Sequence, residues 1–388
     1  MDKNDIKKLL LIIGVFLVFY FIPQDLGRVS LGLNEAVLMM NDYARAHVLL
    51  CLIPAFFIAG AITVFVKSDS VMKYLGPSAG IVAAYSMGAF SGTILAVCSC
   101  TVLPIFAGIY LRGAGLGPAV AFLYSGPAIN VLAIAMTARV LGMKLGIARS
   151  VGAVFMSVII GLCMAFIFRK EETVRMVSFA EVESEEEPIE LWRVILLIGS
   201  LVGFLVFANF GDPSNGSVIT RAIFSVKWYL AILFALTTVF SVFLFSRRLI
   251  KEWLSSTLDF VLRVMPLLFA GVLAAGFLLG RPGNEALIPS AWIAGLLGGN
   301  SIPANFFASL AGALMYFATL TEVPILQGLM GADMGSGPAL ALLLAGPALS
   351  LPAILVLSGI LKWEKTLAFV GLVVVFSTIA GIIFGMIT

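Results

Sequence analysis

The chain has 388 residues, 61% of them hydrophobic and only 12% charged, and its mean hydropathy is +1.10. Soluble domains are roughly half apolar, so this composition excludes a water-soluble globular protein and points to an integral membrane protein. The 24 Lys and Arg against 21 Asp and Glu leave a formal charge of +3, which informs loop orientation and gives no signal for nucleic acid.

In chain order, Lys3, Lys7 and Lys8 precede an apolar run from Leu9 to Ile22. Pro23-Gln24-Asp25 follows in place of a small-x-small cleavage site, so the run reads as a first membrane helix and not as a signal peptide. Crossing the roughly 30 Å hydrocarbon layer takes about 20 residues. Runs of this kind lie at about 9–22, 47–66, 116–138, 147–168, 193–210, 228–246, 257–280, 336–360 and 366–387. Two more apolar stretches, about 79–112 and 288–330, hold Gly and polar residues near the middle with a Pro beyond, and fit either a broken crossing or a re-entrant hairpin.

Basic residues favour hairpins. With hairpins, fifteen Lys and Arg collect on the N-terminal side against eight on the other, Arg149 among the eight; with single crossings the split is thirteen to ten. The N-terminus is then cytoplasmic, in a multi-pass protein of the cell (inner) membrane. The polar stretch from Arg169 to Arg193, with Glu185-Glu186-Glu187, reads as a solvated cytoplasmic loop. Cys51 and Cys163 lie in apolar segments and read as packing residues, and His47, the one histidine, as interfacial.

One stretch occurs twice. CSCTVLPIFAGIYLRGAGLGPAVAFLYSGPAIN, from Cys98 to Asn130, aligns without a gap on ATLTEVPILQGLMGADMGSGPALALLLAGPALS, from Ala318 to Ser350. Pro104 and Pro324, Gly108 and Gly328, Gly117 and Gly337, Pro118 and Pro338, and Pro127 and Pro347 are each 220 apart. Matched Pro and Gly mean that one interrupted backbone was built twice. Because an odd number of crossings separates the copies, the repeat is inverted. The fold expected is an all-α polytopic membrane protein of about nine crossings and two re-entrant hairpins. It comprises a first membrane half at 1–168, an acidic loop and linking helix at 169–227, and a second half at 228–388. This is the organisation of many secondary transporters.

The breaks outline a site. Pro104, Pro324 and the Gly126-Pro127 and Gly346-Pro347 pairs leave backbone carbonyls unpaired, which is tolerated where they face protein or a watery cavity. Ser99, Thr101, Asn130, Thr319, Thr321 and Ser350 add polar groups there as substrate-binding candidates. The competing reading is that the Gly and Ala rows only allow close helix packing. Cys98 and Cys100 point to the same side only if the tip is extended, and thiolates so placed would bind a soft, thiophilic species or metal; buried Cys is otherwise a small hydrophobe. Glu322 is an acid in an apolar segment, hence a proton-coupling candidate, while Thr319-x-x-Glu322 also matches a capping box. Asn300 and Asn305 are further candidates to line the site. Asp259 and Arg263, four apart on one helix, are expected to form a structural pair near the cytoplasmic face.

The doubled segment, with TEVPILQGLM and GPALALLLAGPALSLP, resembles the predicted-permease family that includes the ArsP-type organoarsenical efflux permeases. The resemblance spans most of the chain from Cys51 onward, and Cys98 and Cys100 match that family's cysteine motif. It implies a polytopic inner-membrane permease and, for the characterised branch, export of trivalent organoarsenicals. Two classes of function stand at this point. One is a proton-coupled secondary exporter of a small thiophilic solute, which is not an enzyme and needs no cofactor. The other is a membrane thiol-disulfide oxidoreductase or a membrane subunit of a larger permease or redox complex. No nucleotide-binding loop occurs. The partners expected are a small-molecule substrate and the lipid bilayer, with a homo-oligomer or accessory subunit left open.

Overall fold

A computed structural model describes residues 26–66, 68–76, 79–95, 99–181, 190–210, 218–281, 284–288, 297–315, 322–331 and 334–388. The N-terminal run at 9–22 and the acidic triplet at 185–187 lie outside them. The described residues are helical, with no strand among them beyond isolated bridges of Gly298 and Gly299 with Met334.

The first half opens with α1 (Leu26–Tyr43), which runs through a π-helical segment (Ala44–Leu52) into α2 (Ile53–Phe65), with Pro54 in its first turn. Then come α3 (Ser68–Leu75), α4 (Ile81–Leu95), α5 (Ser99–Leu111), α6 (Leu116–Ala128), α7 (Val131–Val140) and α8 (Met143–Ile167). The connection is α9 (Arg169–Glu181) and α10 (Leu191–Ala208). The second half is α11 (Val218–Val242), α12 (Arg247–Leu279), α13 (Ile302–Leu314), α14 (Glu322–Gly331), α15 (Ser336–Ala345) and α16 (Leu351–Ile387), the last kinked at Lys362. Among the described residues six segments are long and apolar enough to cross a membrane: Val48–Phe65, Met143–Ile167, Leu191–Ala208, Arg221–Val242, Arg247–Leu279 and Leu351–Ile387.

The runs at 116–138 and 336–360 are not single helices. The first divides at Ile129–Asn130, and the second at Gly346–Ser350. In each case the polar residue after the Gly-Pro pair restarts the helix. Ser350 Oγ accepts from Ala353 N at 3.3 Å, and Asn130 Oδ1 accepts from Ala133 N at 3.3 Å, satisfying a donor at each new helix start. The stretch 79–112 forms two helices, α4 and α5. Pro104 lies inside α5, so the helix runs on through the proline. Pro127 likewise lies inside α6, one turn before the break.

Helix ends recur 220 residues apart. Leu116 and Ser336 open α6 and α15, Val131 and Leu351 open α7 and α16, and Ile167 and Ile387 close α8 and α16. The turn between α7 and α8 uses Gly142 at φ 105°; 220 residues on, Lys362 sits at φ 68° in the kink of α16. The glycines recur too. A Cβ on Gly161 would come 2.6 Å from the carbonyl oxygen of Gly117, and one on Gly381 would come 2.7 Å from that of Gly337, so α6 crosses α8 as α15 crosses the last part of α16, backbone on backbone.

Two features differ from the sequence reading. The described beginning of the stretch after Arg169, Arg169–Glu181, is helix α9 in place of a loop. Its Glu172 is buried, accepting from Tyr110 Oη at 2.8 Å, Lys365 Nζ at 3.0 Å and Arg175 Nη2 at 2.9 Å. Arg175 also donates to the carbonyls of Tyr110 and Ala114, so α9 ties the end of α5 to α16. At the opposite end of α12, Arg281 bonds Glu35 Oε2 at 2.9 Å and Asp42 Oδ2 at 3.0 Å, tying α12 to α1. The second difference is Arg149, counted above among the loop residues. It lies two turns inside α8 with 0% of its side chain exposed. A cation withdrawn that far into an apolar bundle requires a partner.

Candidate functional site

Arg149 has that partner in Glu322, the first residue of α14. Arg149 Nη2 donates to Glu322 Oε1 at 2.5 Å, the Glu322 side chain being 1% exposed. Arg149 Nη1 donates to Thr137 Oγ1 at 2.9 Å, and Thr137 in turn donates to the carbonyl of Ala133 on α7. The pair therefore joins α8 and α7 of the first half to α14 of the second. Arg149 Nε and Glu322 Oε2 are both buried with no hydrogen-bond partner among the described residues. One oxygen of the Glu322 carboxylate is thus held by Arg149, while Thr319, the other member of the capping-box pattern, lies outside those residues. In an apolar bundle such a pair persists only while its charges stay together, because separating them leaves an uncompensated buried charge.

Two turns farther along α8, at Met156, the fully buried Tyr124 hydroxyl donates to the carbonyl of Leu344 at 2.9 Å. Tyr124 and Leu344 occupy the same position in the two copies, so this bond closes the two broken stretches on each other. The pair has no such symmetry: the positions matching Glu322 and Arg149 are Val102 and Phe369, both buried and apolar.

The other residues singled out in the sequence fall into three groups. Cys98, Thr319 and Thr321 lie outside the described residues, while Ser99 and Cys100 open α5. Thr101 is fully buried with its hydroxyl on the Cys51 thiol, which makes Cys51 a contact of the first doubled segment. Asn130 and Ser350 cap α7 and α16, and Pro324 lies in the first turn of α14. Asn305 and Asn300 bond each other at 2.9 Å and reach Ser301 and Ile382 carbonyls, so they fasten α13 to α16. Asp259 and Arg263 form no ion pair with each other. Arg149 is the residue that sequence reasoning missed. Its signal was the position six residues into a 25-residue apolar helix, facing no other acid within that helix.

Residues 33–386 match the predicted-permease family of the ArsP type. The chain belongs to that family. The permease is 42% identical over 363 residues to the UPF0718 protein MJ0584 of Methanocaldococcus jannaschii, covering 92% of this chain and 96% of the relative. It is 24% identical over 323 residues to the UPF0718 protein YraQ of Escherichia coli, covering 81% and 72%. No solved structure matches. Family and helices together make this a multi-pass membrane permease, a transporter by class.

Proposed function

We propose that the permease is a proton-coupled secondary exporter of a small thiophilic solute, such as a trivalent organoarsenical, in the inner membrane with its N-terminus cytoplasmic. The observation that carries this reading is Glu322: a buried carboxylate, one oxygen held by an arginine of the opposite half and the other without a hydrogen-bond partner among the described residues. A proton arriving at that carboxylate removes the charge that binds Arg149, freeing α14 to move against α8. Cys98 and Cys100, just before and at the start of α5, supply the soft ligands for the solute. The recurrence of helix ends, glycine crossings and caps at 220 residues supports two inverted halves, with nine crossings and two hairpins, moving about their contact.

The test is uptake of methylarsenite and arsenite into inverted membrane vesicles under an imposed pH gradient. Glu322→Gln is expected to fold and bind solute but lose gradient-driven uptake, and joint Cys98→Ser, Cys100→Ser replacement to lose uptake altogether. Unchanged gradient-driven uptake by the Gln variant removes the coupling role, and uptake retained without the thiols removes the thiophilic solute.

A further inference from the structure

A crevice of about 200 Å³ opens between α2, α5, α12 and α16, away from the Arg149–Glu322 pair. It is lined by Asp259 and Arg263 of α12, with Ser256 beside them and an apolar wall that includes Phe260, Val264 and Ile360. Its depth follows from the packing of α12 on α2. Phe65 meets Phe245 and Trp253, Trp253 Nε1 donates to the Phe57 carbonyl at 2.9 Å, and Gly60 lies against Thr257. The helices are therefore antiparallel, and Asp259 and Arg263 lie past Thr257. On the other side Gly271 lies against Pro352 and Gly359 against Leu267, so Arg263 comes level with the kink of α16 at Lys362, and Thr63 and Leu111, near the ends of α2 and α5, complete the crevice.

Among the described residues neither side chain makes a hydrogen bond or an ion pair, and both are exposed. Two opposite charges one helical turn apart, exposed in a crevice and not paired with each other, are left for water or a ligand to satisfy. Their chemistry is complementary to a molecule and not only to each other. A guanidinium offers a planar fork to a carboxylate or sulfonate, and a carboxylate accepts from an ammonium.

We propose that this crevice is a solute-binding vestibule for a small zwitterion, with the anionic group on Arg263, the ammonium on Asp259 and any apolar body against Phe260, Val264 and Ile360. This rests on the chain being a permease and is independent of the thiophilic solute. Ala107 and Leu111 of α5 also line the crevice, so it lies on the helix that begins at Ser99, about 10 Å of helical rise from Cys100.

The test uses the full chain carrying Ser256→Cys in native membranes, with the parent chain as control for its own cysteines. Reaction with the water-soluble reagents sulfonatoethyl and trimethylammonioethyl methanethiosulfonate is expected at position 256. Glycine, leucine and taurine serve as zwitterion probes; at twice its dissociation constant a probe should slow the reaction about threefold. 4-Methylpentanoate and 3-methylbutylamine, each carrying one of leucine's charges, should not protect. Adding Asp259→Asn or Arg263→Gln, both at exposed positions, should abolish protection while the reaction itself persists. A position that neither reagent reaches overturns the proposal, as does protection by a single-charge analogue equal to that of leucine, or protection by none of the three zwitterions. None of these outcomes depends on arsenical uptake, so failure here and failure of the exporter reading are read separately.

Discussion

Arg149 and Glu322 show why a buried pair is better judged by what happens when it is broken than by its presence. Removing one partner strands the other, at about 3–5 kcal/mol, whereas replacing both by apolar side chains of similar volume costs little. Arg149→Met is therefore expected to lower the thermal midpoint of the detergent-solubilised protein sharply, and Arg149→Met with Glu322→Leu to recover most of it. If the pair only holds helices together, the double variant keeps gradient-driven uptake; if Glu322 carries the proton, the double variant is stable and inactive. Lys362 offers a test of a different kind. At φ 68° a side chain is strained, and the equivalent position, Gly142, carries none. Lys362→Gly should raise stability by about 1 kcal/mol, measured by chemical or thermal unfolding, provided that no contact of the lysine is lost.

At the scale of an element, α9 is a helix because its polar residues find partners, not because its own periodicity demands it. Glu171 and Glu172 lie in its first turn, where negative charge suits the helix dipole, and Glu172 is then buried against Tyr110 and Lys365. Burial pushes the Glu172 carboxyl up, but Arg175 and the hydrogen bonds from Lys365 and Tyr110 outweigh it and hold the group below the ordinary carboxylate range. A carboxyl lowered on folding stabilises above its unfolded value, and that contribution is lost as pH falls through the folded value. Protection of α9 amides against hydrogen exchange, taken relative to the intrinsic rate at each pH, should thus fall in acid below the usual carboxylate range, and Glu172→Gln should flatten the response. Glu35 behaves alike at the other end of α12: the hydrogen bond from Arg281 lowers it, so the tie between α1 and α12 also weakens in acid.

For the whole molecule, orientation is the property that decides the mechanism. Lys144 follows the turn between α7 and α8, and Glu364 follows the kink of α16, 220 residues on; both are exposed. If the halves are inverted, Lys144→Cys and Glu364→Cys react with impermeant reagent from opposite sides of the membrane. Reaction from one side would mean parallel repeats and would sink the two inverted halves proposed above. Tyr124→Phe removes a single hydrogen bond between the halves, about 1 kcal/mol, and is expected to alter the rate of their relative motion more than the fold.

The amino-acid sequence by itself determined the membrane class and the doubled segment, while the breaks it placed at Pro104 and Pro127 did not fall there, since both lie inside helices. The first two depend on apolar run length or on Pro and Gly, whose effects are local. It also marked Glu322, because an acid in an apolar run stands out wherever the chain puts it. Only the tertiary structure decided what those residues meet. Arg149 and Glu322 are 173 apart in sequence, and Tyr110, Glu172 and Lys365 come from three separate helices, so no local pattern pairs them. The same reason misled the sequence reading at Asp259 and Arg263. Their spacing of four permits a pair on the helix, but whether the charges turn to each other or into a crevice depends on what α2, α5 and α16 leave open beside them.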